Sequence, residues 1–159
     1  MVLFYMFKMR SEAMKQMILI ATTLFSGLAL AEDCAMTIDS TDTMQFSTSE
    51  MVVPASCDSY TVTLKHTGTL PRNIMGHNWV LSKTADAQAI AGDGVGAGLN
   101  NDYIKPGDGR VIAYTKVIGG GEETSVTFDV NALSADESYQ FFCSFPGHIG
   151  VMKGALKVQ

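Results

Sequence analysis

No cluster of lysine and arginine interrupts this sequence, no segment repeats, and no low-complexity linker divides it. The first absence makes nucleic acid and anionic lipid poor partners, and the charge balance agrees. From residue 32 onward eight Lys and Arg stand against fifteen Asp and Glu, a formal charge of −7. Such a chain stays in solution and repels polyanions. Without repeats or linkers, residues 32–159 read as one domain with one core. The chain also holds only three cysteines and three histidines, so any site built from them uses almost all of its supply.

The start reads differently. Lys8, Arg10 and Lys15 precede the apolar run Met17–Ala21 and Leu24–Leu30, which ends in Ala29-Leu30-Ala31, a small-x-small pattern. That run is too short for a comfortable membrane span, which needs about 20 residues, and lacks a stop-transfer flank. Residues 1–31 are therefore expected to be a signal peptide. The segment from Met14, MKQMILIATTLFSGLALA, has the more regular form, which puts the expected translation start there. A retained membrane anchor fits less well, because Cys34 opens the next domain at once.

Export implies an oxidising compartment, where two of three cysteines should pair and one is left over. Cys34 and Cys57 lie near the domain's start, and a bridge between them would stabilise it by about 3 kcal/mol through loop closure. Cys143 stands far off. A free thiol in an exported protein is a liability unless something occupies it.

Short alternating segments make up most of the rest: Cys34–Asp39, Tyr60–His66, Asn78–Leu81, Val111–Tyr114, Thr124–Val130, Tyr139–Cys143 and Lys153–Gln159. Period-2 alternation with Gly, Pro, Asn and Asp between segments predicts strands. About eight strands suggest an all-β fold, a Greek-key β-sandwich or barrel. Thr84–Ala91 is alanine-rich and predicts a short helical insertion with Thr84 as its cap. Gly92, Gly94, Gly96 and Gly98 are expected to limit that helix.

FFCSFPGHIGVM then places Cys143, His148 and Met152 within ten positions, where a strand ends. Pro146 and Gly147 allow a tight turn that brings thiol and imidazole to one spot. Mixed thiolate, imidazole and thioether donors select a soft or borderline metal, whereas calcium and magnesium want hard oxygens. Two His, one thiolate and a weak axial Met make a blue-copper electron-transfer site. A second histidine is needed, and spacing alone leaves the choice between His66 and His77. His66 ends an alternating strand on the face of Val62 and Leu64 and reads as a core residue. His77 follows Gly76 where a loop enters a strand, a better place for a ligand.

Taken together, NIMGHNWVLS, GLNNDYIKPGD, VTFDV and FFCSFPGHIGVMKGALKV resemble segments of azurins, bacterial blue-copper cupredoxins, in order and spacing. The likeness runs from Cys34 to the C-terminus. It implies a Greek-key barrel or sandwich holding one type 1 copper ion. Equatorial ligands fall on His77, Cys143 and His148, the axial thioether on Met152, and a long contact on the Gly76 backbone carbonyl. Asn78 would tie the two ligand loops together near the thiolate, Trp79 would lie inside the fold, and Cys34 would pair with Cys57. The implied function is electron transfer in the periplasm, by a monomer, with a cytochrome c, a copper nitrite reductase or an amine dehydrogenase as partner. His148 would be the electron exit, ringed by Phe145, Pro146, Gly147 and Ile149 with Leu70, Pro71 and Met44. At His66 the resemblance implies a modest pH dependence. Many azurins carry a histidine at Tyr114 and a methionine near Val95, so these departures touch partner contacts rather than ligands.

Two other functions use the same residues. Cys143 with a histidine resembles a Cys–His nucleophilic pair of a hydrolase, but no orienting partner or oxyanion motif accompanies it. A copper-storage or chaperone module usually offers several thiolates, and here one is unpaired. Zinc fits the donors chemically but would be colourless and redox-silent.

Overall fold

A computed structural model describes residues 33–159. The signal peptide expected over 1–31 lies outside the described residues. Among the described residues, no helix is long and apolar enough to cross a membrane.

Among the described residues, nine strands form two sheets. They are β1 (Ala35–Thr41), β2 (Gln45–Phe46), β3 (Glu50–Val53), β4 (Ser59–His66), β5 (Val80–Lys83), β6 (Val111–Tyr114), β7 (Glu123–Asp129), β8 (Tyr139–Phe142) and β9 (Lys153–Val158). The first sheet runs β2-β1-β4-β7 and the second β3-β9-β8-β5-β6. Two pairs, β1 with β4 and β3 with β9, are parallel, and every other pair is antiparallel. The two sheets form a sandwich rather than a closed barrel.

Alternation explains the layering. In β4, Tyr60, Val62, Leu64 and His66 turn inward, while the residues between them are half-buried or exposed. Strands β5 and β8 are buried on both faces, and their successive residues feed different cores. Leu81 and Phe141 join Ile38, Val62 and Trp79 between the sheets. Val80 and Phe142 point the other way, against Ala87, Ile90 and Ala91 of a helix packed outside the second sheet. Trp79 is sandwiched between Phe128 and Phe141 with ring centroids 6.0 and 6.1 Å away. The Cys34–Cys57 disulfide is formed, and Cys143 is a buried free thiol.

The outer helix, Ala87–Ala97, starts after Asp86 rather than Thr84 and runs past three of the glycines expected to stop it. Each interior glycine costs about 1 kcal/mol in helix propensity. Packing of Ala87, Ile90 and Ala91 opposes that cost. Gly94 has a steric reason as well: a Cβ there would lie 2.0 Å from the Tyr103 carbonyl oxygen. Only Gly98, at φ +73°, ends the helix. The Arg110 guanidinium then ties it to the β6 turn, bonding Asp93 on the helix and Asp108 in the turn, each at 2.6 Å. Arg110 beside Asp108 holds that carboxyl down at about 2.

Candidate metal centre

Two chain segments deliver the donors. The first is a single helical turn, Arg72–Met75, followed by Gly76 and His77. A Cβ at Gly76 would lie 2.2 Å from the Arg72 carbonyl oxygen and 2.5 Å from Val117, so only glycine lets the chain turn there. His77 is then clamped by paired backbone bonds, its N–H to Ile118 at 3.0 Å and its carbonyl from Ile118 at 2.8 Å. The second is the loop from Cys143 to Met152. Its ends are joined by the Cys143 N–H donating to the Met152 carbonyl at 3.0 Å. Gly147, at φ +85°, makes the turn, and the His148 carbonyl receives the Met152 N–H at 2.8 Å.

These segments bring three donors together. His77 Nδ1 and His148 Nδ1 lie 3.2 Å apart. The Cys143 sulfur is 3.9 Å from the first and 3.6 Å from the second. A tetrahedral or trigonal ion with bonds of about 2.0–2.1 Å to nitrogen and 2.3 Å to sulfur spans donor–donor edges of roughly 3.4–3.8 Å. The cluster matches that size, so its residues fit a single soft or borderline ion.

Proton placement suits it too. The Thr41 carbonyl only accepts, so His77 Nε2 carries the hydrogen of the 2.8 Å bond between them, leaving Nδ1 as a lone-pair donor toward the site. Burial lowers His77 to about 4 and also lowers His148. Burial pushes the Cys143 thiol up to about 12, although the Asn78 and Phe145 amides donate toward the sulfur. At neutral pH both imidazoles are thus ready to bind, and only the thiol must lose a proton. Loading a divalent soft or borderline ion at pH 7 should release about one proton, measurable by calorimetry in buffers of different ionisation heat. Below about pH 4 His77 must lose one as well, and affinity should fall more steeply with acid. Release of two protons at pH 7 would contradict this arrangement.

Asn78 stands between the segments, as expected. Its Oδ1 accepts the Ser144 N–H at 2.9 Å, and its Nδ2 donates to Ser144 Oγ at 2.8 Å and to the Asp102 carbonyl at 2.9 Å. His66 is buried but is not one of the three clustered donors. Its ring stacks on His77 with centroids 4.6 Å apart. Nδ1 accepts the Gly68 N–H at 3.0 Å and Nε2 donates to the Met75 carbonyl at 2.9 Å. Both nitrogens are satisfied, which makes it the packed histidine the strand pattern suggested. Met152, at the end of the second segment, is fully buried. Of the three clustered donors only His148 keeps any exposure, 4%. Phe145 packs on its ring at 4.6 Å. Ile149 departs from expectation. It turns inward to join Val80 and Phe142, because the one-turn helix His148–Gly150 rotates it off the surface.

Sequence reasoning missed Thr41, Asp102 and Ser144. The first two act at the site through backbone carbonyls, which carry no side-chain signature. Ser144 shows its role only once Asn78 faces it.

Residues 32–159 match the model of the copper binding proteins of the plastocyanin/azurin family. An azurin of Pseudomonas chlororaphis is 60% identical over 124 residues, covering 78% of this chain and 97% of that one. An azurin of Bordetella pertussis is 60% identical over 134 residues, covering 84% and 89%. Among solved structures, the azurin Az-iso2 of Methylomonas sp. strain J superposes with a TM-score of 0.77 at 53% identity, covering 79% of this chain and 98% of that one. The chain belongs to the plastocyanin/azurin family of copper-binding proteins, and within it to the azurins.

Proposed function

We propose that His77, Cys143 and His148 would hold one type 1 copper ion, with the Met152 thioether and the Gly76 carbonyl as weaker donors. The convergence of two Nδ1 atoms and one buried sulfur within 4.8 Å carries this reading. Copper there supplies a one-electron Cu(I)/Cu(II) couple. The chain belongs to a family of electron carriers, and its residues serve that role. Thiolate and thioether suit the reduced ion and imidazole tolerates both states. The buried, cross-bonded loops hold the donors still and exclude water, so little has to move when the electron does. Donors so arranged leave no position for a substrate, which argues against catalysis. The optical and EPR spectrum of the copper-loaded protein tests the reading.

The rest of the proposal extends this reading beyond the site. Residues 1–31 act as a signal peptide and 32–159 as the copper domain, working as a monomer in the periplasm. Its partner is a redox protein such as a cytochrome c, a copper nitrite reductase or an amine dehydrogenase. His148, the clustered donor that keeps some exposure, is the exit. Apolar side chains on the ligand-bearing segments offer a shape-tolerant contact: Leu70 is 36% exposed, Ile74 57% and Val151 66%. Leu70→Asp should slow exchange with the partner roughly tenfold, the effect of losing one well-placed apolar contact, and leave the copper spectrum unchanged. Unchanged exchange, or an altered spectrum, would remove Leu70 from the contact.

A further inference from the structure

Two consecutive non-glycine residues, Asp102 and Tyr103, adopt left-handed backbone conformations, with φ of +54° and +52°. This conformation costs on the order of 1 kcal/mol per residue and persists where surrounding structure over-determines it. The Gly94 contact with the Tyr103 carbonyl braces them from the helix side. Both residues reach the metal centre. The Tyr103 ring meets the edge of Phe145 at 5.1 Å, and Phe145 in turn covers His148. Asp102 reaches it twice. Its carbonyl accepts Asn78 Nδ2 at 2.9 Å and Ser144 Oγ at 3.3 Å. Its carboxylate accepts the Val117 N–H at 2.8 Å, next to the Ile118 clamp on His77, and Arg72 Nη2 at 3.3 Å.

We propose that Asp102 is a positioning residue for electron transfer: its carboxylate anchors the strained loop so that its carbonyl holds the Asn78–Ser144 clasp behind the Cys143 sulfur. The physical route is short. The clasp fixes Asn78 and Ser144, and amides of Asn78 and Phe145 donate toward that sulfur. Hydrogen bonds to a thiolate withdraw charge from it, weaken its donation to the oxidised ion and raise the reduction potential. Arg72 joins the same anchor from the helical turn that delivers Gly76 and His77. One residue therefore links the segments carrying His77 and Cys143, its carboxylate holding Arg72 and Val117 and its carbonyl holding Asn78 and Ser144.

This inference rests on the copper reading above, but its first test needs no metal. In metal-free Asp102→Ala, amide hydrogen exchange at Ser144 should accelerate roughly tenfold, the weight of one hydrogen bond, together with exchange at Val117. In the copper-loaded variant the reduction potential should fall and the visible band should shift. Asp102→Asn, which keeps an Oδ1 acceptor and tolerates the left-handed conformation, should restore most of both. Acceleration confined to Val117, with Ser144 exchange and potential as in the parent, would make Asp102 merely structural and overturn the proposal. If Asp102→Ala does not fold, Asp102→Gly decides, since glycine accepts the backbone conformation but supplies no anchor. It should show the same fast Ser144 exchange and lowered potential, and parent values there would overturn the proposal equally. A parent protein lacking blue colour would instead count against copper, leaving the exchange result to judge Asp102.

Discussion

Cys143→Ser should give a protein that folds, binds copper poorly and stays pale when copper is added. A serine hydroxyl keeps its proton far above neutral pH and, as a hard oxygen, suits Cu(I) badly. The intense colour of such sites comes from the thiolate bond to Cu(II), which serine cannot form. Electron exchange should therefore fall below detection. The fold should not follow, because Cys143 sits outside the main apolar cluster between the sheets. A serine oxygen there also accepts the amide bonds that the sulfur now receives. The unfolding free energy of the metal-free variant should stay within about 1 kcal/mol of the parent, the ordinary range for a small substitution. A deeply coloured, redox-active serine variant would show that the thiolate is not a ligand.

The second large effect concerns stability. Trp79→Ala should cost about 3–5 kcal/mol, the range for emptying a large aromatic from a core. Trp79 is completely buried and stacked on both Phe128 and Phe141. Its indole N–H finds no acceptor among the described residues. That unpaired donor already carries a desolvation cost. Trp79→Phe removes it while keeping a ring, so it should lose clearly less than the alanine variant. Urea unfolding of the metal-free proteins measures both. Equal losses would show that a retained aromatic ring contributes nothing there, against the stacked packing on Phe128 and Phe141. Because Trp79 follows His77 by only two positions, its core also supports the site. Its amide donates to Thr115 Oγ1 at 2.9 Å, and its carbonyl receives the Thr115 N–H.

How far the sequence disclosed all this depended on range. Tyr60, Val62 and Leu64 announced β4 because alternation is a local pattern with a buried consequence. Glu50–Val53 did not, although Met51 and Val53 also face inward. That strand is short, and its partner is the chain's last strand, roughly a hundred residues away in sequence. The helix past Gly92 was obscured for a related reason. Propensity said stop, while the contact that makes Gly94 necessary comes from Tyr103, in the following loop. At the site, Cys143 and His148 were legible because one loop carries them. His77 was the better placed of two histidines on the residues alone, the azurin likeness pointed the same way, and the structure explains the difference. The His66 nitrogens are spent on Gly68 and Met75, whereas one His77 nitrogen is held by Thr41 and the other turns to the sulfur. Asp102 could not be read at all, since its effect depends on a backbone carbonyl and a positive φ.

Titrating the metal-free protein with Cu(II) while recording optical and EPR spectra tests the central claim most directly. The account predicts one equivalent bound, an intense blue band, the narrow copper hyperfine splitting of a thiolate-bound site, and bleaching on one-electron reduction that reverses on reoxidation. Weak tetragonal copper spectra, or oxidation of Cys143 in place of a stable coloured complex, would contradict it.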